Sequence, residues 1–180
     1  MKIIAFGASY SKHSINKQFA TYASEHFAYA EVEVIDLNNY PLPLFTVDLE
    51  AEIGHPEIID RFLAKIAEAD LLIISMSEHN GSYTAAFKNL LDWTSRKKIK
   101  LFQGKKVLLI STSPGARGGA GSIAAAKSRF PIHGADIIAD FSLPSFEQNF
   151  NAQSGIVNPE LKAKFLEVIE HVKQVIQYNV

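Results

Sequence analysis

The sequence predicts an α/β protein with a parallel sheet covered by helices on both faces. Three observations carry this. Short apolar runs alternate with longer stretches of helical spacing along the whole chain, as in successive strand–helix units. The runs at residues 71–76 and 107–110 are continuously apolar, as strands buried on both faces are. The polar and glycine-rich residues collect just after the apolar runs, where an open α/β sheet places its ligand loops.

Residues 2–6 read as the first buried strand, ending at Gly7. Residues 15–28 follow with helical spacing, Ile15, Phe19, Tyr22, Ala23 and Phe27 falling near one face. Residues 32–36 are a second strand. Residues 38–54 hold Pro41 and Pro43 with little periodicity and read as a long loop. Pro56 stands near the first turn of a helix over 56–67. Residues 71–76 are the third strand and 83–98 a helix, whose Phe87 and Trp93 read as core. Residues 105–112 are the fourth strand, 119–130 an alanine-rich helix and 136–141 the fifth strand. Asn158-Pro159 opens a last helix running to about Tyr178, with Leu161, Phe165, Ile169, Val172 and Ile176 as its stripe. Five strands and five helices favour the flavodoxin-like three-layer sandwich with strand order 2-1-3-4-5, in one domain over residues 1–180.

Composition narrows the function. A net charge of −1 gives no general attraction for nucleic acid or an anionic membrane, so an anionic ligand must be held by local donors. The absence of cysteine excludes disulfides, thiolate catalysis, iron–sulfur clusters and cysteine-based zinc sites. The six histidines are scattered without ligand spacing, so no metal site is expected. No apolar run reaches the ~18–20 residues of a membrane span. The opening MKIIAFGAS is too short for a secretory leader, which leads to the expectation of a cytoplasmic protein.

Three loops should meet at the carboxyl edge of the sheet: residues 7–14, 77–83 and 113–119. In the first, Ser9, Ser11 and Ser14 bring hydroxyls and Asn16 an amide to a helix start, whose free N–H groups and dipole favour an anion. Lys12 or His13 could offset a phosphate's charge. The plainer reading is that Ser14 caps the helix. The loop is neither a Walker A loop nor a Gly-x-Gly-x-x-Gly turn. In the second loop, Asn80-Gly81 is a tight-turn pair whose amides could face a flat ligand. In the third, glycines let the backbone approach a ligand closely, or simply make a flexible connection. Arg117 in that loop could meet the 2′-phosphate of NADPH, its default being a solvated arginine.

Taken together these loops resemble the NADPH-dependent FMN reductase family, which includes quinone, azo-dye and chromate reductases. Ser14-Ile15-Asn16 matches the Ser-x-Asn that closes the family's first turn. Glu78, Asn80 and Ser82, then Lys88, Asn89, Asp92 and Trp93, match its Pro-Glu-Tyr-Asn-x-Ser and Lys-Asn-x-x-Asp-Trp stretches. Pro41-Leu42-Pro43 matches the segment after strand two. The chain departs from the pattern at Ser11, where an arginine is common, at Ser77 for proline, at His79 for tyrosine and at Thr84-Ala85 for Pro-Gly.

The resemblance implies that Ser9, Ser11, Ser14, Ile15 and Asn16 contact the phosphate of FMN. It places Glu78, His79, Asn80 and Gly81 along the isoalloxazine, and Ser113, Gly115, Gly118 and Gly119 over its other side. It implies hydride transfer from NADPH or NADH through FMN N5 to a small-molecule acceptor, with no catalytic side chain, in a homodimer or homotetramer. Two alternatives stand beside it. A flavodoxin-type electron carrier would bind FMN without a nicotinamide site, but such carriers are usually strongly acidic. A Gly-Asp-Ser hydrolase would use Ser9, but Ala8 stands where its aspartate belongs and no Asp-x-x-His is near the C-terminus.

Overall fold

The computed structural model describes residues 1–177. In chain order it contains β1 (Lys2–Ala8), α1 (Ile15–Glu25), β2 (Glu31–Val34), α2 (Val47–Ile53), α3 (Ile58–Glu68), β3 (Leu71–Met76), β4 (Glu78–His79) and β5 (Ser82–Tyr83). It continues with α4 (Ala85–Lys97), β6 (Lys106–Thr112), α5 (Ala120–Arg129), β7 (Asp136–Leu143), α6 (Phe146–Asn149), β8 (Phe150–Asn151), β9 (Gly155–Ile156) and α7 (Pro159–Gln177). The main sheet is parallel, ordered β2-β1-β3-β6-β7. Counting its strands alone, this is the expected 2-1-3-4-5. The chain has the flavodoxin-like fold.

Period-2 alternation builds the two cores. Ile3 and Ala5 of β1 face one side, against Phe19, Ala20 and Ala23 of α1 and Phe165, Ile169 and Val172 of α7. Ile4, Phe6 and Ala8 face the other, against Phe62 and Ile66 of α3, Phe87 and Trp93 of α4, and Ile123 of α5. β1, β3 and β6 are flanked on both edges and covered on both faces, hence their largely apolar sequences. The register sets Ala8 beside Met76 and Met76 beside Ser111, so the carboxyl ends of these three strands are level.

Several elements differ from expectation. Residues 38–54 are not all loop. Leu37–Asn39 form a 3-10 turn and Val47–Ile53 form α2, capped by Thr46 Oγ1, which accepts from Leu49 N at 3.0 Å. No residue of α2 is buried, so it leaves no apolar stripe to read. Residues 78–83 fold into a hairpin, which moves the start of α4 to Ala85, with Thr84 Oγ1 capping Phe87 N at 3.2 Å. The β8–β9 hairpin was not anticipated. The expected end of α7 at Tyr178 lies outside the described residues.

Candidate functional site

Loop 7–14 leaves β1 at Gly7, where a side chain would press into the backbone of Asn16 and Lys17. Glycine there lets the first turn of α1 lie directly on the strand end. Beyond it the three serines form a regular arrangement. Ser9 Oγ accepts from Ser11 N at 3.1 Å, Ser11 Oγ from His13 N at 3.3 Å, and Ser14 Oγ from Lys17 N at 3.1 Å. A hydroxyl that accepts keeps its own proton to donate. Among the described residues none of the three donates within the chain. Ser14 is thus a helix cap, as its plainer reading had it, and still a free donor. The N–H groups of Ile15 and Asn16, the first two of α1, have no acceptor within the helix. Tyr10 anchors the loop: its hydroxyl donates to the Tyr40 carbonyl at 3.1 Å, and burial pushes its pKa up to about 12.

Asn16 is buried and its carboxamide faces into the fold. Oδ1 accepts from Ser75 Oγ at 2.8 Å and from Thr112 N at 3.0 Å, and Nδ2 donates to Thr112 O at 3.0 Å. One side chain therefore ties α1 to the carboxyl ends of β3 and β6. The amide offered toward the cleft is the backbone one.

The Glu78–Tyr83 hairpin turns at Asn80 (φ 53°) and Gly81 (φ 79°), the paired left-handed conformations of a tight hairpin turn. Its Glu78 side chain is largely covered. Oε2 accepts from Ser122 N at 2.9 Å, and Oε1 lies 3.7 Å from the exposed Arg117 guanidinium. In loop 113–119, the Gly115 carbonyl accepts from the N–H groups of Gly118 and Ser145 at 3.1 and 3.0 Å. A side chain at Gly118 would meet the Leu143 carbonyl at 2.7 Å, and one at Gly119 would meet the Ser111 side chain at 3.0 Å. Both glycines serve the packing of the α5 start against β6 and β7.

These loops enclose a cleft of about 190 Å³. It is lined by Ser9, Ser11, Ser14, Ile15, Asn16, Glu78, His79 and Ser113 of the expected residues, and by His13, Ser77, Thr112 and Pro114 besides. Asn80 borders a neighbouring hollow with Tyr83 and Lys88, reached past His79. Gly81, Gly115, Gly118 and Gly119 line neither. Lys12 does not line the cleft. Sequence reasoning missed the support beneath it: Ser75, Ser111, Thr112 and the Glu78 carboxylate. The available signal was polar residues ending otherwise apolar strands, Ser75 in 71–76 and Ser111-Thr112 in 106–112. Ser111 Oγ donates to Gly118 O at 2.6 Å, which fixes loop 113–119 from below, and Thr112 Oγ1 donates to Leu143 O at 2.8 Å, which ties the end of β6 to β7.

The matched segment at Lys88–Trp93 does not reach the cleft. Asn89 Nδ2 and Trp93 Nε1 both donate to the Pro43 carbonyl, at 2.9 and 2.8 Å, and Asn89 Oδ1 accepts from Phe45 N at 2.7 Å. This is a clamp holding residues 41–45 onto α4. Trp93 and Phe87 are fully buried core residues, as read from the sequence. Among the described residues no group of histidine and carboxylate side chains could hold a metal ion, and no helix is long and apolar enough to cross a membrane.

A parallel sheet of this order, with polar loops converging beyond β1, β3 and β6, defines the flavodoxin-like class. Within that class the chain belongs to the NADPH-dependent FMN reductase family, whose pattern it matches over residues 1–148. It is an oxidoreductase that works with FMN and NAD(P)H. It is 31% identical over 149 residues to an NADPH:quinone oxidoreductase of Arabidopsis thaliana, covering 77% of this chain and 71% of that one. It is 26% identical over 183 residues to an NAD(P)H:quinone oxidoreductase of Solanum tuberosum, covering 94% and 89%. In structure it resembles the flavoenzyme NAD(P)H:(acceptor) oxidoreductase of Paracoccus denitrificans, with a TM-score of 0.71 at 22% identity over 96% of this chain and 97% of that one.

Proposed function

We propose that residues 1–180 form a single FMN-binding unit that reduces quinones or similar small acceptors with NAD(P)H, in a homodimer or homotetramer. The phosphate of FMN lies against Ser9, Ser11, Ser14 and the N–H groups of Ile15 and Asn16. The observation that carries this is the serine arrangement. Three hydroxyls have their acceptor side occupied by backbone N–H groups, so their protons are left to converge on an anion at the start of α1. A phosphate monoester, with several acceptor oxygens and up to two charges, suits that donor set.

When bound, FMN would supply hydride-transfer chemistry at its N5 between NAD(P)H and the acceptor. The chain's residues bind and orient it. The hairpin of Glu78, His79, Asn80 and Gly81 would hold one side of the ring, and Ser113 and Gly115 the other. No side-chain acid or base is needed for the hydride step. The relatives' quinone acceptors and the near-neutral charge of this chain favour an enzyme over a one-electron carrier. Ser9 accepts from a backbone amide and has no imidazole partner among the described residues, so the hydrolase reading finds no support.

The test is a titration of flavin-free protein with FMN, followed by visible absorption, and then NAD(P)H oxidation with a quinone. Wild type should bind FMN and oxidise NAD(P)H steadily. Ser9→Ala and Ser11→Ala should each weaken FMN about 10–100-fold, a lost hydrogen bond to a charged group, while leaving riboflavin binding unchanged. A protein that binds no FMN, or that binds it and never oxidises NAD(P)H, would sink this reading.

A further inference from the structure

The N-terminus of α5 has no side-chain cap of its own. Its cap position is Gly119, which has no side chain to accept from the first turn. A side-chain acceptor comes instead from 44 residues away: Glu78 Oε2 takes the N–H of Ser122, the third residue of the helix, at 2.9 Å, a proton shared with the Gly119 carbonyl at 3.1 Å. The carboxylate also stands at the positive end of the helix dipole. Gly121 completes the fit. A side-chain carbon there would stand 2.7 Å from both Glu78 Oε2 and the Gly81 carbonyl, so only glycine lets the hairpin rest on the helix. The hairpin is thereby bonded to α5 through Glu78 and packed closely against it at Gly81.

Resting on the flavin reading above, we propose that the Glu78 carboxylate is a positioning residue that holds the hairpin amides in place for the flavin ring. It acts through Ser122 and Gly121 and does not need to touch the ring itself. The two loops expected on either side of the ring are then one mechanical unit: residues 78–81 are pinned to the helix that begins where loop 113–119 ends.

Because the hairpin serves the ring and the serine loop the phosphate, the two roles separate experimentally. Flavin-free wild type, Glu78→Ala, Glu78→Gln, Gly121→Ala and Ser11→Ala are titrated with FMN and with riboflavin by fluorescence quenching. Amide hydrogen exchange of the flavin-free proteins is measured in parallel. Glu78→Ala and Gly121→Ala should weaken FMN and riboflavin by the same factor, about tenfold for a lost charge-assisted hydrogen bond. Exchange at residues 79–83 should rise while β1, β3 and β6 stay protected. Glu78→Gln keeps an acceptor for Ser122 N and should restore both affinities to within about threefold of wild type. Ser11→Ala should weaken FMN only. Riboflavin affinity unchanged in Glu78→Ala, or no rescue by glutamine, would overturn the positioning role. Wild type binding neither flavin would overturn the flavin reading instead, and the exchange of residues 79–83 would still decide whether Glu78 pins the hairpin.

Discussion

At the scale of single residues, Asn16 divides its two amides between different tasks. Its backbone N–H belongs to the open start of α1, and its carboxamide makes three hydrogen bonds with Ser75 and Thr112 in a buried setting. Alanine at this position would strand the Ser75 hydroxyl and both backbone groups of Thr112. Unmet buried polar groups cost more than the bonds they lose, so Asn16→Ala should lower stability by about 3 kcal/mol in urea unfolding. It should also loosen loops 7–14 and 113–119 together. A loss below about 0.5 kcal/mol would show that water replaces the side chain. The Ser-x-Asn pattern made Asn16 visible in the sequence, but as an amide aimed at a ligand. Its direction depends on Ser75 and Thr112, which are 59 and 96 residues away, and no local pattern encodes that.

Among the elements, the five main strands were legible because β1, β3 and β6 are apolar along most of their length and the helices read over residues 15–28 and 83–98 carry apolar stripes. What escaped was held by contacts distant in sequence. α2 buries none of its residues. Its Leu49 packs against the core only partly buried, and Arg96 of α4, whose Nε lies 2.9 Å from both Glu50 oxygens, ties it to α4. The segment before it hangs on Asn89 and Trp93. The Lys88–Trp93 motif could be recognised in the sequence and its purpose could not, since its partners Pro43 and Phe45 lie in what read as featureless loop. Asn89→Ala removes the bonds to Pro43 and Phe45 and should cost about 1–2 kcal/mol. Limited proteolysis should then cut within residues 41–46 faster than in wild type, and equal cleavage rates would show that Trp93 alone secures the clamp.

For the whole molecule, net charge near zero conceals carboxylates that depend on close cations. Asp36 is held below the usual carboxylate range by the hydrogen bond from Lys17, Glu50 by Arg96 and then His55, and Glu68 by Lys2 and then Lys65. These pairs join α1 to the turn after β2, α2 to α4, and α3 to the first strand. A carboxylate whose folded pKa is lowered contributes stability that is complete above its unfolded value, about 3.9 for Asp and 4.3 for Glu. That contribution is lost as pH falls through the folded value. The melting temperature should therefore hold from pH 7 to about 5 and decline below about pH 4. High salt should flatten the decline, because all three groups are at least partly solvent-exposed. A melting temperature unchanged from pH 5 to 3 would show that these pairs contribute nothing.

The cleft walls carry one more consequence. Neither lysine nor arginine lines them, and Ser11 stands in the middle of the first loop. A ligand gripped by fixed dipoles rather than by a formal positive charge has little charge–charge attraction for salt to screen, so its dissociation constant should scarcely vary with ionic strength. Such a protein would leave a high-salt column still yellow.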